Sequence, residues 1–356
     1  MVLVPGQRLE GAGRTAYVVG DYRAKTPWYQ LYTARKVFFN YRYDDREFYE
    51  ASSDEWVEVL IRVCGSSESE TPADVEQRRK LLRYEAGKVL ETQSGWFPEP
   101  LDWLEFNLDV SESDTNREPL LIMSCPQGKP LHLWRQSQPF GSSRCVQVAV
   151  EILDLFEWLH QRGQIVGAVG PDDFLIDQTG RLFFMATDRV LPANQSGHLR
   201  RFFPPERYSK GFAAPEACQA TGSLDARSDL LSWAALSLFL IANESPAEDA
   251  VAENRDGPLY GEAQQQRLEE ALTIAANHDL QALRGLIRPQ SRGSAARMIA
   301  AWSTCLRACL AVDPAERPVS VKDCRRNAAA QTSPVSLGRL WRRLVGRFTS
   351  DEEGAR

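Results

Sequence analysis

Residues 160–190 read HQRGQIVGAVGPDDFLIDQTGRLFFMATDRV. The stretch joins a helix end to a small hairpin. Upstream, SSRCVQVAVEILDLFEWLHQRG (142–163) repeats apolar residues at Cys145, Ala149, Ile152, Leu153, Phe156 and Leu159, with serines at its start and Gly163 as a stop. This pattern predicts a long amphipathic helix. Downstream, FLID, QTG and RLFFM predict a β-hairpin closed by a tight turn. The loop between them carries the Pro171-Asp172 dipeptide.

Toward the N-terminus, AYVVGDY, WYQLYTARKVFFNY and EWVEVLIRV are rich in aromatic and β-branched residues and predict successive antiparallel strands. A polar break, GSSESETPAD, precedes VEQRRKLLRYEAGKVLET, where Leu81, Leu82, Ala86, Val89 and Leu90 share one helical face. PLDWLEF and EPLLIMSC predict further strands around an acidic loop, NLDVSESDTNR. Toward the C-terminus, after a loop of about thirty residues, the pattern is helical to about residue 327, with LLSWAALSLFLIA (230–242) as a buried helix.

Composition sets bounds on function. With 43% hydrophobic and 25% charged residues, the 356-residue chain suits one large or two modest globular domains. A net charge of -6 argues against a nucleic-acid surface. The N-terminus lacks a signal-peptide pattern and the longest apolar run is too short to span a bilayer, so a cytoplasmic address is expected. Alanine- and arginine-rich usage suggests a bacterial chain. Seven cysteines without CxxC spacing read as buried thiols. Cys305 and Cys309, four apart on a helical pattern, offer a metal pair without further ligands nearby in sequence.

The order of these segments, closed by FAAPE (212–216), SDLLSWAALSLFL (228–240) and CLAVDPAERP (309–318), resembles the protein kinase superfamily, of the Ser/Thr type, over roughly residues 15–325. The resemblance implies an α+β, bilobal fold: a small antiparallel sheet with one main helix, then a larger, mainly helical lobe. The expected divisions are an N-terminal segment (1–14), an N-lobe (15–125), a C-lobe (126–327), and a linker with a basic amphipathic tail (328–356). It further implies that Glu216 pairs with Arg317, and that Asp229 braces the loop at 166–173 through backbone hydrogen bonds.

The residues of phosphotransfer are altered at the matching positions. VLIR (59–62) matches V-A-I-K, so Arg62 replaces the lysine, while Glu85 matches its helix partner. Between Asp21 and Tyr32 there is no glycine to let backbone amides approach phosphates. The catalytic loop becomes VGAVGPDD, with Val166, Gly167 and Ala168 for the His-Arg-Asp triplet and Asp173 for the metal-binding asparagine. Thirteen residues on from Asp173, the metal-binding triplet falls on Ala186, Thr187 and Asp188. A methyl group neither accepts a substrate proton nor ligates Mg²⁺. Asp173 and Asp188 are the fallback metal ligands, if the hairpin slides by two residues; the simpler reading makes both solvated turn acids.

Met123 stands as gatekeeper, with Ser124 and Cys125 opening the hinge, so that a degenerate nucleotide cleft would comprise Arg62, Glu85, Met123 and Cys125. Tyr22, Trp28 and Met123 are candidate fillers of that cleft. The expected function is therefore a pseudokinase, a catalytically inactive module for binding, scaffolding or regulation, with no cofactor. The alternative is a divergent Ser/Thr kinase or other ATP-dependent phosphoryl or nucleotidyl transferase using Asp173 and Asp188, with weak ATP and Mg²⁺ binding.

Protein partners are expected, without nucleic acid. Arg200, Arg201, Phe202, Phe203, Pro204 and Pro205 form a candidate docking epitope, and 242–266 a polar, acidic insertion. In SLGRLWRRLVGRF (336–348), Leu337, Leu340, Trp341, Leu344, Val345 and Phe348 share a face, suiting a membrane surface, a partner groove or the chain's own C-lobe.

Overall fold

The computed structural model describes residues 3–11, 15–25, 29–41, 48–50, 57–64, 71–92, 94–107, 117–193, 211–218, 224–244, 261–287 and 294–332. The chain is α+β and divides into two units, Met1–Lys129 with Phe174–Asp188, and Pro130–Asp173 with Arg189–Arg356. The docking epitope at 200–205 and the tail at 336–348 lie outside the described residues, as do Trp28 and most of the acidic insertion.

The first unit is built on an antiparallel sheet of strands β1 (Arg8–Glu10), β2 (Thr15–Lys25), β3 (Tyr29–Tyr41), β4 (Phe48–Glu50), β5 (Val57–Cys64), β6 (Pro100–Asn107) and β7 (Arg117–Ser124), with helix α1 (Pro72–Thr92). The strand order is β1-β2-β3-β5-β7-β6, and β4 pairs with β3. Alternation along β5 separates two layers. Val59, Ile61 and Val63 join a core with Leu9, Tyr17, Tyr32 and Ile122, whereas Cys64 joins Leu121, Met123 and two α1 residues, Leu82 and Ala86. Because strand side chains alternate with period two, Arg62 shares the face of Cys64. Glu85, three residues after Leu82, shares the corresponding face of α1.

Within the segment 1–14, expected to precede the N-lobe, Arg8–Glu10 form a strand of the sheet. Leu3 and Leu9 are buried in the first core, and β1 pairs with β2 from Arg8↔Val18 to Glu10↔Ala16. The hairpin of β10 (Phe174–Asp177) and β11 (Leu182–Phe184), which follows β8 (Gly128–Pro130) and β9 (Gln164–Ile165) along the chain, also groups with this unit rather than with the helices. The reason is local. The Phe184 ring packs on Phe97, its N–H donates to the Trp96 carbonyl at 2.7 Å, and Arg181 donates to the Gly95 carbonyl. Asp177 organises the turn by accepting from the Thr179 and Arg181 N–H groups, each at 2.8 Å, and Gly180 supplies the left-handed residue at φ 85°.

The second unit is mainly helical: α2 (Leu131–Gln136), α3 (Ser143–His160), α4 (Pro215–Cys218), α5 (Ala226–Ala242), α6 (Glu262–His278), α7 (Leu280–Arg284), α8 (Ala295–Cys309) and α9 (Val321–Thr332). A short β12 (Leu191–Pro192) pairs with β9. Helix α5 is apolar on every side and buried along nearly its whole length, as a central core helix must be. Its Trp233 donates to the Ala149 carbonyl of α3 at 2.7 Å, and Trp302 of α8 donates to the Leu283 carbonyl at 3.0 Å, so two buried indoles keep their N–H groups paired. Asp225 caps α5 by accepting from the Arg227 N–H, and Asn243 ends it in the left-handed conformation. Against the expectation that Cys305 and Cys309 have no third ligand, α9 brings Cys324 to them. Among the described residues no helix is long and apolar enough to cross a membrane.

Candidate functional site

In the first unit, the shared face of β5 and α1 brings Arg62 and Glu85 together as a buried ion pair. One Arg62 nitrogen (Nη1) also donates to the Thr187 hydroxyl at 3.1 Å, and the other (Nη2) to the Met185 carbonyl at 2.9 Å. Thr187 in turn donates to the same Glu85 oxygen that Arg62 contacts. Asp188 lies 3.7 Å from Arg62, so the guanidinium faces two carboxylates and its charge is spent within the unit. Burial pushes the Glu85 carboxyl up to about 7 against the pull of Arg62, and the negative charge of Asp188 adds to the rise.

Ala186, one residue before Thr187, is buried, and its methyl adds neither a ligand nor a base to this cluster. Met123 is enclosed with Cys64, Leu82, Ala86 and Leu121, so it is a core residue of the sheet. Cys125 is half-buried, with its sulfur 3.8 Å from Gln127 Nε2. Tyr22 is exposed and meets Tyr32 edge-on with ring centroids 5.5 Å apart.

In the second unit the loop at 166–173 hangs on one carboxylate. Asp229, at the start of α5 and fully buried, accepts from the Gly167 N–H at 2.6 Å and the Val166 N–H at 3.0 Å, and lies 2.8 Å from His160 Nε2. Gly167 takes φ 84°, a conformation that favours glycine, and a Cβ there would also press on the end of the Leu224 side chain, 2.5 Å from its Cδ1. Ala168 follows, buried, with its carbonyl accepting from Arg189 at 3.1 Å.

Asp173 is no solvated turn acid. It is 7% exposed and accepts from the Gly170 N–H at 2.7 Å and from Arg189 at 2.8 Å. Asp188 likewise is enclosed, with its side chain 10% exposed beside Arg62. Both acids are too buried to carry charge without partners, and an arginine serves each.

Farther along, Arg317 grips Glu216 through two nitrogens at 2.6 and 3.1 Å, a bidentate geometry. The Ser228 hydroxyl donates to the same carboxylate at 2.7 Å, and Arg317 also donates to the Ala311 and Val312 carbonyls. Helix α4, the loop before α9 and the start of α5 are thereby tied together.

Of the residues singled out from sequence, Arg62 meets Glu85 and Asp188; Glu216 meets Arg317; and Asp229 meets the 166–173 loop. Sequence reasoning passed over Thr187, Arg189, His160 and Ser228, which complete these networks. His160 carried a faint signal as the polar last residue of an apolar helix, and Thr187 sat inside the altered triplet, but neither has a spacing rule of its own.

No family model matches the chain. No curated protein matches it either.

Proposed function

We propose that the chain is a pseudokinase, a bilobal protein kinase-like fold that has kept its frame and given up phosphotransfer to serve as a binding, scaffolding or regulatory module. The observation that carries this reading is the fate of Arg62. Its guanidinium is engaged by Glu85, Thr187, the Met185 carbonyl and Asp188, contacts that commit its charge to structure rather than to a phosphate. Methyl groups at Ala168 and Ala186 stand where the resemblance requires a proton acceptor and a metal ligand, and neither chemistry is open to them.

The structural pairs support the same reading. Asp229 with the loop backbone, and Glu216 with Arg317, are the contacts that the resemblance assigns to the frame. The transferase alternative draws on Asp173 and Asp188, and it is not favoured: each carboxylate is buried beside an arginine, which competes with any cation for it.

A phosphotransfer assay tests the proposal. Purified protein incubated with terminally labelled ATP and Mg²⁺ or Mn²⁺, with and without a generic protein substrate, is expected to transfer no label above a heat-denatured control. Label transfer that disappears in the Asp173→Asn or Asp188→Asn variant would overturn it and restore the enzyme reading.

A further inference from the structure

Away from the networks described above, three cysteines converge inside the second unit. Cys305 and Cys309 lie one helical turn apart on α8, so their side chains share a face. Cys324 sits in the first turn of α9, its N–H bonded to the Ser320 carbonyl at 3.0 Å, and points to the same spot. The Cys324 sulfur lies 2.6 Å from that of Cys305 and 3.9 Å from that of Cys309, and all three sulfurs fall within 4.8 Å of one another. All three residues are buried.

We propose that Cys305, Cys309 and Cys324 form a three-thiolate site for one thiophilic cation of the zinc class. Sulfur ligands around a tetrahedral or trigonal ion at a metal–sulfur distance of about 2.3 Å stand roughly 4 Å apart; the Cys309–Cys324 separation of 3.9 Å has this scale, and binding would open the 2.6 Å approach of Cys305 and Cys324 by about 1 Å. A disulfide would use two of the thiols and leave the third without a role, whereas a soft cation uses all three. Helix spacing i, i+4 supplies two ligands from a rigid element, and the third comes from the helix packed against it.

A fourth position is also provided for. A cavity of about 270 Å³ lies against Cys305 and Cys324, with Thr304, Ala308 and Asn327 among its lining residues. Thr304 and Asn327 are exposed, so the cavity gives an ion a path from solvent and room for a water or small donor beside Cys305 and Cys324. Binding converts each thiol to a thiolate and releases its proton to solvent. The ion would then join α8 to α9 and stabilise the end of the helical unit.

The test uses the full chain, reduced and freed of metal with a chelator, then titrated with Cd²⁺ as a spectroscopic stand-in for zinc. The expected result is an ultraviolet thiolate-to-cadmium band that saturates at one ion per chain, is displaced by Zn²⁺, is lost in Cys309→Ala and persists in Cys145→Ala. Should Cys309→Ala fail to fold, alkylation of the wild-type chain decides: Zn²⁺ is expected to protect Cys305, Cys309 and Cys324 while leaving the rate at Cys125 unchanged. No band in folded, reduced protein, a band that survives Cys309→Ala, or alkylation indifferent to zinc would each overturn the site. So would a Cys305–Cys324 disulfide in protein that, once reduced, takes up no metal.

Discussion

Arg62 and Glu85 are joined as a buried ion pair, and Thr187 closes the triangle by donating to the same carboxylate oxygen. Under the reading proposed above, an active phosphotransferase would divide the strand cation between a helix carboxylate and the nucleotide. Here Thr187, the Met185 carbonyl and Asp188 also engage the Arg62 guanidinium. Truncating one side of a buried pair leaves the other charge unpaired, at a cost of about 3–5 kcal/mol. Arg62→Ala should lose stability on that scale by urea denaturation, because two acids, Glu85 and Asp188, would then face each other without a cation.

The same cluster sets a pH dependence. Burial raises Glu85 from its ordinary 4.5 to about 7 in the folded chain, so the native state holds this proton more tightly than the unfolded state does. The associated stabilisation is complete below about 4.5 and fades as the pH rises through about 7. Chemical denaturation across that window should show the wild-type chain losing stability with rising pH, and Glu85→Gln losing less over the same interval.

Gly167 tests the bracing of the loop. Alanine there would meet both the positive φ and Leu224, so Gly167→Ala should cost about 1–3 kcal/mol. Asp229→Ala removes the acceptor of two buried N–H groups and should cost more, since each orphaned donor carries about 1–3 kcal/mol. Hydrogen exchange at the Val166 and Gly167 amides reads the second effect directly: both should lose protection in Asp229→Ala.

A double-mutant cycle on Glu216 and Arg317 should return a coupling of at least ~1.5 kcal/mol, as expected for a bidentate, charge-assisted pair that excludes water. A coupling near zero in thermal or urea unfolding would mark the pair as dispensable and weaken the frame.

Much of this arrangement was legible in the chain, and by two different routes. The strands and helices themselves followed from residue pattern, because strand and helix periods dictate which side chains share a face, whereas Arg62 and Glu85 were paired through resemblance to a family. Glu216, Asp229 and Arg317 had no such rule and were identified only through resemblance to a family. What escaped both routes was tertiary. Arg189 is one more arginine in a loop until Asp173 is seen to be buried beside it. Asp173 and Asp188 looked like solvated turn acids because local composition reports polarity and not burial. The strand at Arg8–Glu10 was missed because three residues are too few to carry a marker, and Cys324 reached Cys305 across a helix-to-helix contact that no sequence spacing encodes.

The most direct measurement is a thermal-shift titration of the folded chain with ATP, ADP and GTP, each in the presence of Mg²⁺, Mn²⁺ or a chelator. A ligand bound only by the native state raises its stability with concentration, so even weak binding registers at millimolar nucleotide. With Arg62 committed to Glu85 and methyl groups at Ala168 and Ala186, no metal-dependent rise in melting temperature is expected for any nucleotide. A rise that requires the metal and vanishes in Asp173→Asn or Asp188→Asn would contradict the account, and would show that these buried acids leave their arginines to hold a cation.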